Sequence, residues 1–248
     1  MTFNMYSILI WIGCIIGSLS VLPFMQNTSI LMGGIFPHEL TLSLIFLMAL
    51  EGMICFGILI FFGRKFAQKI GIKFLFLDKN TTVMNSLIKP GLLVGMLCTF
   101  LQVTVDKLLP TAQFSLHYLT INTPPLYGLI GSIYGAFNEE VFMQLFFLSA
   151  IAVLLTKMFK QVHKNTIMWN AIIITSLVFG LCHLPNFVHA ITPDTPLIVL
   201  RVLLLNSISG VLFGYVFWRK GFEVAMLAHL INDIGLYFFI PIVYKIIG

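Results

Sequence analysis

An all-α bundle of about seven or eight membrane-spanning helices is the fold class this sequence predicts, on three observations. Only 9% of its 248 residues are charged, against about 25% in a soluble domain. Its mean hydropathy is +1.01. Its apolar residues gather into runs of about 20, the length a helix needs to cross a hydrocarbon core of about 30 Å.

In chain order, the runs cover about 5–25, 40–62, 88–109, 126–156, 167–189, 197–218 and 222–240. The first has no basic segment before it and no small-residue cleavage site after it, so it is expected to remain as a span. The fourth, at about 31 residues, exceeds the bilayer core and must tilt, protrude or break. The tail from Phe238 to Gly248 is apolar but short for an eighth span.

Lys and Arg sort the loops. Arg64, Lys65, Lys69, Lys73, Lys79 and Lys89 follow the second span, Lys157, Lys160 and Lys164 the fourth, and Arg219 and Lys220 the sixth. The first and fifth loops carry none, and the third only Lys107; Arg201 lies just inside the sixth span. The positive-inside rule then puts the even loops and the N-terminus in the cytoplasm, in a multi-pass protein of the cell membrane. Seven spans leave the C-terminus outside; an eighth returns it.

The small-xxx-small pairs Gly13/Gly17, Gly131/Gly135 and Gly210/Gly214 let helix backbones approach. No repeat or low-complexity tract interrupts the chain, so residues 1–248 are expected to form one membrane domain with a catalytic-like core over about 126–236. Cys14, Cys55, Cys98 and Cys182 all fall in apolar runs and read as packing residues, not as a disulfide or Cys-x-x-Cys framework. The net charge of +5 comes from loop residues, where orientation and anionic membrane lipids account for it, and gives no sign of nucleic-acid binding.

Against this apolar background a few polar groups stand out. Glu139 and Glu140 are adjacent in the fourth run, His183 ends Phe179-Gly180-Leu181-Cys182-His183, and His229 opens His229-Leu230-Ile231-Asn232-Asp233. An ionisable group inside a bilayer costs about 2.5 to 3.5 kcal/mol or more, so three spans carrying them point to function. Residues four apart share a helix face, which pairs Phe179 with His183 and His229 with Asp233, Asn232 lying close beside. Glu139 and Glu140 lie about 100° apart on an α-helix and are not expected to aim at one point. One is expected to act on substrate and the other to hold structure. Two ionised carboxylates side by side in low dielectric repel, so at least one needs a proton or a partner.

Carboxylates and imidazoles together can activate water, and a second His with an amide or acid one turn away can stabilise an oxyanion. Peptide hydrolysis needs those two functions. The same groups also suit a proton relay or ion site of a transporter, though no internal two-fold repeat is visible. His117 and His163 fall in loops, His38 and His189 near span ends, and Glu51 stands alone in the second span. Cys182 beside His183 is not a nucleophile–base pair, because adjacent helical positions do not face each other. The His-Glu-x-x-His zinc helix is absent; the sequence requires no cofactor, and zinc is compatible with His-x-x-x-Asp plus a further His and Glu.

In these three segments the chain resembles the CAAX-protease and bacteriocin-processing family, also called the Abi family of intramembrane endopeptidases. The family pattern is Glu-Glu-x-x-x-Arg, then Phe-x-x-x-His, then His-x-x-x-Asn or His-x-x-x-Asp; here it reads Glu139-Glu140 to Gln144, Phe179 to His183, and His229 to Asn232-Asp233. The resemblance implies a helical bundle with an intramembrane active site. Its catalytic set would be Glu139, Glu140, His183, His229 and Asp233, supported by Gln144, Phe179 and Asn232. By that analogy Glu139 is the general base, His183 helps bind the water, His229 and Asp233 stabilise the oxyanion, and Glu140 is the structural partner. The partner implied is a peptide or protein substrate: members cleave prenylated protein tails, and bacterial relatives are associated with peptide maturation, signalling-peptide regulation and bacteriocin immunity. The alternative in the same fold is a non-catalytic immunity or scaffold protein. Metal dependence stays open; if a metal is bound, Glu139, His183 and His229 would be its ligands.

One departure from the pattern is Gln144, where the family carries arginine. Arg would form an i,i+4 ion pair with Glu140, whereas Gln is expected to hydrogen-bond it in a neutral network. A second tension concerns depth. At about 1.5 Å per residue, His183 falls roughly 24 Å into its run and His229 roughly 10 Å. They meet only if a helix tilts, a boundary is displaced or a cavity runs through the bundle.

Overall fold

Seven helices are long and apolar enough to cross a membrane: α1 (Met5–Leu31), α2 (Leu42–Lys69), α3 (Met84–Leu108), α4 (Pro125–Met158), α5 (Lys164–Cys182), α6 (Pro196–Lys220) and α7 (Phe222–Ile246). The computed structural model describes residues 4–32, 36, 37, 39–77, 82–109, 122–184 and 195–247, and among them there is no strand. His38, His117 and His189 lie outside the described residues. The protein is an all-α, multi-pass membrane bundle, as the composition predicts.

Several span limits differ from those expected, among them the end of α2, which runs on to Lys69. α1 continues to Leu31. α5 stops at Cys182, and His183 becomes its C-cap, its backbone N–H bonding Gly180 O at 3.2 Å. Leu184 precedes Pro185, and a residue before proline resists helical geometry. At the other end of the chain, the segment from Phe238 is not a further span but the last turns of α7. α7 reaches it through a wider, π-type turn at Gly235–Phe239 just before Pro241, and α3 has a similar turn at Met84–Ile88 just before Pro90. Proline lacks the N–H that would continue the ladder, and its ring crowds the carbonyl four residues back, so the preceding turn loosens.

α4 is the hub. It packs against α1, α2, α5 and α7, while α5 pairs with α6, and α7 lies between α3 and α6. The glycine pairs sit at these contacts. A Cβ on Gly210 would come within 2.8 Å of Ser176 Cα on α5, and one on Gly17 would meet Asn138 and, at 3.2 Å, Tyr134 Cα on α4. Asn138, fully buried, uses its amide to donate to Cys14 O at 3.0 Å and Ser18 Oγ at 2.8 Å. It thereby locks α4 to α1 one residue before the glutamate pair.

The depth tension is resolved by stagger. α5 begins with exposed residues, and Ile167 is its first buried one. α7 begins already inside the protein, with Phe222 and Glu223 buried. Over its start lies a strap, residues 70–77, with Ile70, Ile72, Phe74 and Leu75 buried. Gly221, at φ 120°, turns α6 into α7 in a single residue, a conformation that favours glycine. The Phe222 N–H then donates to Lys73 O at 3.2 Å. The Glu223 carboxylate accepts from Tyr6 Oη (2.7 Å), Leu75 N (2.9 Å) and Phe76 N (3.2 Å). These bonds join α1, the strap and α7. Beside them Arg64 bonds Asn4 and Ser7 and stacks its guanidinium 5.4 Å from the Tyr6 ring.

Replacing Glu223 with Ala strands two amides and a hydroxyl and is expected to cost about 3 kcal/mol. The check is the thermal midpoint in detergent, which should fall; an unchanged midpoint would mean that this carboxylate does not hold the start of α7.

Candidate active site

α4 changes its winding where the glutamates lie. Gly135–Glu139 and Val141–Leu148 are π-type turns, with Glu140 between them. Such turns cluster at functional sites because they re-aim side chains that an α-helix would hold apart. The consequence corrects the expectation that the two carboxylates cannot converge. Glu140 Oε1 lies 2.8 Å from His229 Nδ1, and Glu139 Oε2 lies 3.5 Å from His229 Nε2. They grip opposite edges of one imidazole. The two differ in exposure: Glu140 is buried at 1%, while the Glu139 side chain is 25% exposed.

Glu139 also faces His183, its Oε1 standing 4.0 Å from Nε2. The other ring nitrogen, Nδ1, is 2.8 Å from Phe179 O. A carbonyl only accepts, so Nδ1 carries a hydrogen, and Nε2 is the ring nitrogen turned towards Glu139. The i,i+4 pairing of Phe179 with His183 is thus a backbone bond as well as a ring contact at 4.7 Å. Phe213 of α6 stacks on the His229 ring at 4.5 Å. Asp233, one turn after His229, places Oδ2 3.6 Å from Nε2. Asn232 turns aside: its Oδ1 accepts from Thr99 Oγ1 of α3 at 3.2 Å, and its Nδ2 donates to Asp233 Oδ1 at 3.4 Å. Glu139, His183, His229 and Asp233 all line one cavity of about 410 Å³ between α1, α4, α5, α6 and α7.

The expected hydrogen bond between Glu140 and Gln144 does not form. Among the described residues, Glu140 Oε2 and Gln144 Oε1 are both buried without a hydrogen-bond partner. The four-residue spacing that stacks side chains on an α-helix fails across π-type turns. Among the described residues no group of three or more His, Cys, Asp or Glu is arranged to hold a metal ion.

Several contributors escaped the sequence reading. Gly135 lies directly under the site: a Cβ there would stand 2.9 Å from His229 Nε2 and collide with Asp233 Oδ2. Its pairing with Gly131 was the available signal. Arg201 is buried against Asp106 of α3, and a charge at the edge of each run was the only hint. Phe213, apolar among apolar residues, gave none. The four cysteines are free, Cys14 and Cys98 buried, Cys55 and Cys182 exposed.

Two substitutions probe this packing. Gly135→Ala forces His229 and Asp233 aside and is expected to cost about 2 kcal/mol as overpacking. Gln144→Met keeps the volume, removes an unpaired acceptor, and is expected to leave stability level or raised by up to about 1 kcal/mol. Thermal unfolding in detergent reads both; a clear loss of stability in Gln144→Met would show that the amide is bonded after all.

Comparison with curated proteins and with solved structures finds no match. Residues 121–235 match the family model described as type II CAAX prenyl endopeptidase Rce1-like, a stretch that spans all three motifs and every side chain within the cluster. That segment is similar to the Rce1-like family of type II CAAX prenyl endopeptidases.

Proposed function

We propose that the protein is an intramembrane endopeptidase that hydrolyses a peptide bond with water activated by Glu139 and His183. The observation that carries this reading is the position of the Glu139 carboxylate, 4.0 Å from His183 Nε2 and 3.5 Å from His229 Nε2 at the wall of a cavity within the bundle. A water about 2.8 Å from both Glu139 Oε1 and His183 Nε2 would see them about 90° apart, given their 4.0 Å separation. That is close to the angle between its own O–H bonds. Both atoms accept hydrogen bonds, so both O–H groups are engaged and a lone pair is left for attack.

The steps follow from that placement. As the water oxygen bonds the substrate carbonyl carbon, Glu139 takes its proton. The carbonyl oxygen becomes an oxyanion beside His229 Nε2. When the tetrahedral species collapses, the C–N bond breaks and Glu139 returns the proton to the departing amine. His229 stabilises the oxyanion when Nε2 bears hydrogen. Glu140 governs that hydrogen through Nδ1, either by accepting from an imidazolium or by donating from a protonated carboxyl to a neutral ring. Phe213 and Phe179 hold the ring against rotation.

The family supplies the substrate class to try first, a prenylated peptide ending in the Cys-aliphatic-aliphatic-X sequence. The membrane is taken to be the cell membrane, with the N-terminus and the Lys/Arg-rich loops in the cytoplasm. An internally quenched prenylated peptide of that kind, added to the purified protein in detergent or proteoliposomes, is expected to be cleaved. Glu139→Gln should slow cleavage on the order of 10²- to 10⁴-fold, and His183→Ala and His229→Ala should each slow it severely at unchanged abundance. Cleavage by Glu139→Gln at the unsubstituted rate would end this reading.

A further inference from the structure

The cavity that holds the site occupies one end of the bundle. Among the described residues, its lining comes from α1 beyond Val21, α3 at Gln102, α4 as far as Met143, the last turn of α5 and α6 as far as Ser209. Each of these stretches lies where its helix meets the first, third or fifth loop. α7 adds its middle, with His229 as the lining residue nearest its start.

The other end is filled. Ile10, Phe56, Leu145, Ile172, Phe217 and Phe222, one from each of α1, α2, α4, α5, α6 and α7, belong to a single buried apolar cluster. Ile72 and Phe74 of the strap join it. A packed interior has few voids larger than a water molecule, so no peptide passes this core without parting the helices.

Charge divides along the same line. The loops at the filled end carry Lys73, Lys79 and Lys160, with Arg64, Lys69, Lys157, Lys164, Arg219 and Lys220 on the helix turns that meet them. The cavity end has Lys107 and Lys245 near helix ends, and Arg201 buried against Asp106. Lys and Arg in short loops stay in the cytoplasm, so the apolar core stands between the cytoplasm and the site.

We infer that the site is reached from the non-cytoplasmic face, and that its substrate is a peptide segment already on that side of the membrane, exported or membrane-anchored. A tail held in the cytoplasm, prenylated or not, meets the filled end. This rests on the peptidase reading above and on the loop orientation taken with it.

The full-length protein carries its own probe. Cys182 lines the cavity beside His183 and is exposed, while Cys14 and Cys98 are buried; Cys55→Ser removes the other exposed thiol. A charged, membrane-impermeant methanethiosulfonate is applied to sealed vesicles of either orientation. Lys160→Cys marks the face of the Lys/Arg-rich loops. Asn206→Cys, in a chain also bearing Cys182→Ser, probes the cavity deeper along α6, and the near-isosteric Ser209→Cys repeats that reading. Cys182 and the deeper thiols are expected to react from the face opposite Lys160→Cys, with labelling lost when the reagent is confined to the other face, and Lys160→Cys to react from the cytoplasmic face. Reaction of Cys182 from the same face as Lys160→Cys, no reaction at Cys182 or at either deeper thiol from any face, or reaction of Lys160→Cys from the outer face overturns the inference. Labelling needs no cleavage, so the two readings fail separately. If Glu139→Gln cleaves at full rate, the peptidase reading falls and the side of access stands; if Glu139→Gln is inert while the labelling fails, only the side of access falls.

Discussion

The bond between Glu140 and His229 is the constraint on which the site depends. It is 2.8 Å long and buried, and it joins the centre of α4 to the middle of α7. A hydrogen bond between an acid and an imidazole in low dielectric is strong because the alternative is an unpaired polar group. Fixing the ring from its Nδ1 side leaves Nε2 pointing into the cavity, where Glu139 and Asp233 flank it. With Phe213 on its face, the imidazole has neither a rotation nor a tautomer to choose independently of Glu140.

The winding of α4 makes that bond compatible with the second carboxylate. On a regular α-helix, neighbouring glutamates diverge and would reach different surfaces. The π-type turns on either side of Glu140 bring both to one ring, at the expense of regular side-chain stacking further along. Gln144 bears that expense: among the described residues its amide oxygen and Glu140 Oε2 both lack a hydrogen-bond partner. Irregular winding, Gly135 beneath the ring and Asn138 pinning α4 to α1 are parts of one local solution.

Span number, the approximate span limits and the polar cluster were legible because charge inside an apolar run is costly and conspicuous. Glu139, His183, His229 and Asp233 were singled out on that ground and do meet in space. Their contact geometry was not legible, since a spacing argument assumes ideal winding and α4 departs from it. The end of α5 was hidden for a similar reason: the apolar run continues past Cys182 while Pro185 discourages the helix. Glu223, Asp106 and Arg201 went unread because a charge near the end of a run resembles ordinary interfacial decoration. The meeting of His183 with His229 seemed inconsistent in depth only because each helix was counted from the membrane surface, whereas α7 starts beneath the strap of residues 70–77.

The one-residue junction at Gly221 has a mechanical corollary. With no slack between them, and with Phe222 tied to the strap, α6 and α7 cannot slide past each other at that end. Phe213, His229 and Asp233 therefore travel as a rigid jaw. Any widening of the cavity at that end must come from the opposing side, where α1 presents Phe24 and α4 presents Gly128 and Gly131 to it.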